Sequence, residues 1–348
     1  MRTNFIFLLP LFVFRFSFFV SAQSSAPENK SDSISAPVMI YHINDSTDYE
    51  FAKPKLFEFI KNIPLSEARY FKTTLTKKNI IPIGGMITGT AVLCLWDKTI
   101  LDGSKKLGDN LGIAHTNRQK TYGRWSMKLG ENKFEVPLNG PWDLNSAMYY
   151  LGDGVTHLTI AGSFWLTGIF TNDYRARRTA GEIAESIIAA GIVVQVLKHA
   201  TGRESPFAAE FPIGYWRPFP NQVEYAKHVP RYDAFPSGHL ATAMATVTVI
   251  AENYPEKKYI RPVGYSLMGL LAYSMLNNGV HWFSDYPISI TMGYAFAKIA
   301  VNRGRKIISK KNNTKDQDEP QHSRSKGKFL LLPNFSPAGT GMTAVYAF

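Results

Sequence analysis

His281 and Asp285 lie four residues apart in His281-Trp282-Phe283-Ser284-Asp285, just ahead of an apolar run. At that spacing, within one helical turn, a carboxylate can take a hydrogen bond from one imidazole nitrogen and leave the other as a nucleophile or base. The same five residues could equally hold a satisfied core histidine. A second histidine, His239, closes Pro236-Ser237-Gly238-His239 at the start of another apolar run. Ser237 there would cap a helix, Gly238 would admit a ligand close to the backbone, and first-turn amides would cradle an anion. Plain capping explains the same residues. A third cluster, Lys198-His199-Ala200-Thr201-Gly202-Arg203, follows Val193 to Leu197. Its cations would either meet an anion or complement the negative end of a helix dipole. In each cluster polar groups end an apolar segment, where burial without partners is costly.

Six apolar segments are long enough to be the core helices that position these clusters: Ile80–Trp96, Gly154–Phe170, Ala180–Leu197, Gly238–Ala251, Pro262–Leu276 and Tyr286–Val301. Their lengths and small residues suit close helix packing. Residues 97–153 are basic and punctuated by glycine, and read as loop with short helices. Residues 202–236, rich in proline and aromatics, read as a long loop covering a site. The fold expected is all-α: a six-helix bundle with long loops and no internal repeat.

Taken in order, the three clusters resemble the type 2 phosphatidic acid phosphatase and vanadium haloperoxidase superfamily. That pattern runs Lys-x6-Arg-Pro, then Pro-Ser-Gly-His, then Ser-Arg-x5-His-x3-Asp, on six helices with the motifs at one end. Lys198, Pro206, Pro236 to His239, Ser274, His281 and Asp285 fall in register. By motif the resemblance covers residues 180–301; the first two helices fit by number only. It implies that His281 attacks phosphorus to form a phosphohistidine while Asp285 holds the ring. His239 would protonate the leaving oxygen and then activate water. Lys198, Ser237 and Gly238 would bind the phosphoryl oxygens. No metal or other cofactor is implied, and the substrate would be a phosphorylated lipid or small phosphate ester.

Two positions depart from the pattern: Ser205 and Met275 stand where both motif arginines belong. Oxyanion donors of this kind are worth roughly 3–4 kcal/mol each, so unreplaced losses would slow catalysis by orders of magnitude. Arg203, two residues away, and Arg217 from the covering loop are the expected replacements as phosphate-binding groups. Two further readings stay open. One is a pseudoenzyme that binds a phosphate ligand without turning it over; the other is a vanadate-dependent haloperoxidase, which the missing arginines disfavour more strongly.

The N-terminus carries Arg2, an apolar stretch from Phe5 to Val20 broken by Arg15, and Val20-Ser21-Ala22 before Gln23. This reads as a signal peptide over 1–22 and places the protein in the periplasm or cell envelope. Residues 23–79 read as a polar leader and pre-core segment, 80–301 as the catalytic domain, 302–328 as a basic disordered tail, and 329–348 as a short extension able to form a strand. Of the formal net charge of +12, residues 1–22 carry two and the tail six. The basicity therefore points away from nucleic acid and toward attraction of the tail to an acidic envelope surface. A lone Cys94 excludes an internal disulfide. The chain reads as an exported bundle, soluble or peripherally attached, with a six-span membrane enzyme as the alternative.

Overall fold

The computed structural model describes residues 37–129, 132–309, 328–336 and 339–347. In chain order the elements are β1 (Val38–Asn44), β2 (Thr47–Ala52), α1 (Glu58–Thr74), α2 (Lys77–Leu93), α3 (Asp97–Leu111), β3 (Gln119–Leu129), β4 (Asn132–Pro141), α4 (Leu144–Tyr150), α5 (Gly154–Phe170), α6 (Tyr174–Thr201), α7 (Gln222–Lys227), α8 (Gly238–Asn253), α9 (Ile260–Asn277), α10 (Tyr286–Gly304), β5 (Lys306–Ser309), β6 (Lys328–Ser336) and β7 (Gly339–Ala347). The all-α core expected from the apolar segments is present: α2, α5, α6, α8, α9 and α10 fall on those six stretches. The signal segment, 1–22, lies outside the described residues, as does most of the basic tail.

The centre of the bundle is α6 against α8 and α10. Ala189, Ala190, Val193 and Val194 of α6 meet Ala241 of α8 and Met292 and Phe296 of α10. Gly293 permits this approach, since a Cβ there would come within 2.2 Å of the Ala241 carbonyl oxygen. A second layer joins Leu240 and Met244 of α8 to Leu271 and Met275 of α9, with Trp282 and Tyr286 closing it. The C-terminal end of α6 and the N-terminal ends of α8 and α10 share one end of the bundle, so the three motifs meet there.

The opposite end carries structure that the sequence reading placed in solvent. β1, β2 and β5 form an antiparallel sheet in the order β1-β2-β5. Phe51, fully buried, packs with Tyr49 and Tyr174 against the start of α6. Residues 38–52 therefore depart from the solvated leader expected there, and 303–309 from the disordered tail: Arg303 pairs with Glu185, Arg305 with Glu252, and β5 adds to β2. The stretch 97–153 holds α3, the β3–β4 hairpin and α4 instead of being mostly loop. In α3 the buried residues are Asp97, Leu101 and Gly108, too sparse an apolar stripe to stand out among lysines and glycines. The chain ends in a β6–β7 hairpin, one strand more than expected.

Much apolar surface faces outward. On α2 only Thr90 is buried, while Ile80, Ile81, Ile87 and Val92 are exposed. Leu158, Trp165, Leu166 and Phe170 of α5 and Val263, Leu267 and Leu270 of α9 are exposed as well. Among the described residues, two helical segments, Lys77–Leu111 and Tyr174–Thr201, are long and apolar enough to cross a membrane.

Candidate active site

The first motif is set by how α6 ends. Gly202 takes a left-handed φ of 55° and its amide closes on the Lys198 carbonyl at 2.8 Å. A Cβ at 202 would lie 1.9 Å from the Arg217 carbonyl oxygen, so glycine is needed for both the conformation and the crossing chain. Beyond it Arg203 pairs through its backbone with Trp216 on one side and Asp233 on the other, and its carbonyl accepts from Ala234 N at 2.9 Å. The covering loop is thereby fastened to a residue inside the first motif, which carries 233–239 into place.

His281, 3% exposed, donates from Nδ1 to the Ala234 carbonyl at 2.6 Å. A carbonyl only accepts, so Nδ1 carries a proton, and in the neutral ring Nε2 is the nitrogen with the lone pair. Asp285 Oδ2 lies 3.5 Å from the same nitrogen. That corrects the expectation that Asp285 is the main holder of the ring: the nearer partner is a backbone carbonyl of the second motif. The carboxylate has other bonds, because Oδ2 accepts from Trp282 N at 2.8 Å and Oδ1 pairs with Arg203.

Arg203 is 1% exposed and enclosed by acceptors. Its Nη1 donates to Ser284 Oγ at 2.7 Å and to Asp285, and its Nη2 to Asp97 Oδ2 at 2.6 Å. The indoles of Trp216 and Trp282 flank it, with ring centres 4.7 and 5.5 Å from the guanidinium carbon. Burial opposes its charge, but the carboxylates of Asp285 and Asp97 outweigh it and raise its pKa. Arg217 pairs with the fully buried Glu204 at 3.2 Å and lies over the Tyr215 ring. The expected clamp of Arg203 and Arg217 is therefore revised: one guanidinium stands behind Asp285 and the other on Glu204. Where the motif arginines would be, Ser205 is buried under the loop with its amide on Pro230 O, and Met275 is fully buried with its sulfur 3.6 Å from Ser237 Oγ.

Asp97 is a residue the motif reading missed. It opens α3, fully buried, and its Oδ1 accepts from Ser284 N at 2.9 Å while Oδ2 accepts from Ser284 Oγ at 2.5 Å. It ties the α2–α3 corner to the loop bearing His281. Its sequence signal was a lone acid directly after an apolar run, the criterion that drew attention to the other clusters.

Ser237 caps α8, its hydroxyl accepting from Leu240 N at 3.5 Å, and its own amide meets Asp285 O at 3.3 Å. His239, in the first turn of α8, has its ring centre 6.4 Å from that of His281 and 4.7 Å from that of Tyr149. Burial, then the fields of His281 and Lys198, push its pKa down to about 3, so the imidazole is neutral near pH 7. Lys198 is 7% exposed and donates from Nζ to Asp233 Oδ2 at 2.7 Å. Of the expected site residues, the fold thus brings Lys198, Ser237, Gly238, His239, His281 and Asp285 to one end of the bundle, and sets Arg203 behind Asp285.

This arrangement lies within the segment matched by the model of the PAP2 superfamily, residues 179–308. Residues 179–308 belong to the PAP2 superfamily. The PAP2 segment runs from the first turns of α6 to β5 and leaves Asp97 and Tyr149 outside it. The crystal structure of a transmembrane PAP2-type phosphatidylglycerolphosphate phosphatase from Bacillus subtilis aligns with 71% of this chain and 96% of its own at 13% identity and a TM-score of 0.36. At that score the likeness carries no weight for the site. No curated protein matches the chain significantly.

Proposed function

We propose that the protein is a metal-independent phosphomonoester phosphatase acting through a phosphohistidine on His281. The observation that carries this is the 2.6 Å bond from His281 Nδ1 to the Ala234 carbonyl, which leaves Nε2 as a fixed nucleophile. Nε2 attacks phosphorus, the bond from phosphorus to the ester oxygen breaks, and His239 delivers a proton to that oxygen. Because His239 is neutral near pH 7, this proton arrives on the substrate monoanion and passes through His239. Water then gives a proton to His239 and attacks phosphorus, the P–N bond breaks, and inorganic phosphate leaves. Lys198, the Ser237 hydroxyl and the free first-turn amide of Gly238 meet the charge on the phosphoryl oxygens.

The outward apolar faces of α2, α5 and α9 support membrane association, with acyl chains against those helices and a lipid phosphate as substrate. The end of the bundle opposite the site carries Arg175, Arg177, Arg178, Lys257, Lys258, Arg261, Arg303 and Arg305. A second reading, ligand binding without turnover, is favoured by Ser205, Met275 and the enclosure of Arg203. Phosphate release from a generic phosphomonoester by wild type and His281→Ala separates the two. Turnover lost in the variant supports catalysis; binding without release in wild type supports the pseudoenzyme.

A further inference from the structure

The lysine assigned to phosphate already holds a carboxylate. Lys198 Nζ lies 2.7 Å from Asp233 Oδ2, and the Asp233 side chain keeps 27% of its surface open. Asp233 is held firmly: its backbone pairs with that of Arg203, and its chain neighbour Ala234 is the residue whose carbonyl anchors His281. The carboxylate is therefore built into the loop that orients the nucleophile. The nearby guanidiniums do not balance it, since Arg203 lies between Asp97 and Asp285 and Arg217 on Glu204.

A bare phosphate dianion approaching this pair would find one lysine, already neutralised, with a carboxylate against it. A phosphate ester that also bears an ammonium group finds complementary partners, its phosphoryl oxygens on Lys198 and its ammonium on Asp233. The hydroxyls of Tyr149 and Tyr225 lie within the field of Asp233; burial first, then that charge, holds both neutral, with pKa values pushed up to about 12.

We propose that Asp233 selects the substrate, and that the substrate class is a phosphate ester carrying an amine within a few bonds of phosphorus. The chemistry of this substrate rests on the phosphatase reading, whereas its recognition can be measured without turnover. The probes are O-phosphoethanolamine and ethyl phosphate, which differ by the ammonium. Calorimetric binding and phosphate release are measured for each on the full-length protein, as wild type, Asp233→Asn and Asp233→Glu. Wild type is expected to bind the amine ester about tenfold more tightly, a difference of about 1.4 kcal/mol. Asp233→Asn should abolish the preference and Asp233→Glu keep part of it. Equal binding of the two probes by wild type, or no binding of either, overturns the inference. So does Asp233→Asn tightening both probes equally, which would make the carboxylate only a stopper on Lys198. If Asp233→Asn does not fold, the wild-type preference and Asp233→Glu still decide. A binding preference without phosphate release would sink the phosphatase reading and leave this inference standing; release without a preference would do the reverse.

Discussion

Replacing Arg203 by alanine separates two roles that the sequence alone leaves equivalent. If the guanidinium held phosphate, its loss would slow turnover and spare the fold. In the structure it lies 1% exposed between Asp97 and Asp285, both fully buried, and donates to Ser284 as well. Arg203→Ala would leave two carboxylates buried without their cation. Removing one partner of a buried pair costs about 3–5 kcal/mol, and here a single change strips both acids. Against a whole-domain stability of roughly 5–15 kcal/mol, the loss is a large fraction. The expected result is a melting temperature lowered by on the order of 10 °C or more. The assay is thermal unfolding of the purified protein, with His281→Ala beside it as a change that should stop turnover and cost less stability than Arg203→Ala, since it removes one buried hydrogen bond and strands no charge. Asp97→Asn is the milder companion, since it keeps the shape and one acceptor for Ser284 N but removes a charge. It should cost less stability than Arg203→Ala and lower kcat more than it changes KM, because it loosens the loop carrying His281 without touching substrate. An Arg203→Ala protein that melts like wild type yet has lost turnover would refute this placement.

Two further outcomes follow from the same geometry. His239 has a folded pKa near 3 against 6.5 for an ordinary histidine, so its neutral burial contributes stability that is fully present above about pH 6.5 and fades as pH falls toward 3; between pH 6.5 and 4.5 wild type should lose about 2 kcal/mol more than His239→Gln in denaturant titrations. Met275→Arg, which restores the motif arginine in sequence, should fail to raise phosphatase activity and should lower the melting temperature, because position 275 is fully buried among Leu271, Leu276 and Trp282; a gain in turnover would show that the pocket can still accept a guanidinium.

The six core helices were legible because each is an apolar run of helical length, and α5 begins and ends where its pattern does. α6 starts six residues before its apolar run because Asp173 caps a polar first turn containing Arg175, Arg177 and Arg178. β1 escaped notice since it alternates exposed Val38 and Ile40 with half-buried Met39 and Tyr41, a face that has meaning only against Tyr174. The motifs found their common end because the spacing along α6, α8 and α10 dictates it. Which way a side chain turns there is another matter. Arg203 stands two residues from a motif position, and nothing in that spacing says that Asp97, more than a hundred residues earlier, waits behind Asp285 to receive it. The Ala234 carbonyl, which sets the tautomer of His281, has no side-chain identity to read at all.

Whether His281 Nε2 is the nucleophile is decided by the position of the phosphoryl group on the ring. Rapid quenching during turnover of a phosphomonoester, followed by phosphorus NMR and mass spectrometry of the His281 peptide, distinguishes the two ring isomers. Phosphate is expected on Nε2 of His281 and none in His281→Ala. Phosphate on Nδ1, on another residue, or turnover persisting in His281→Ala would contradict it.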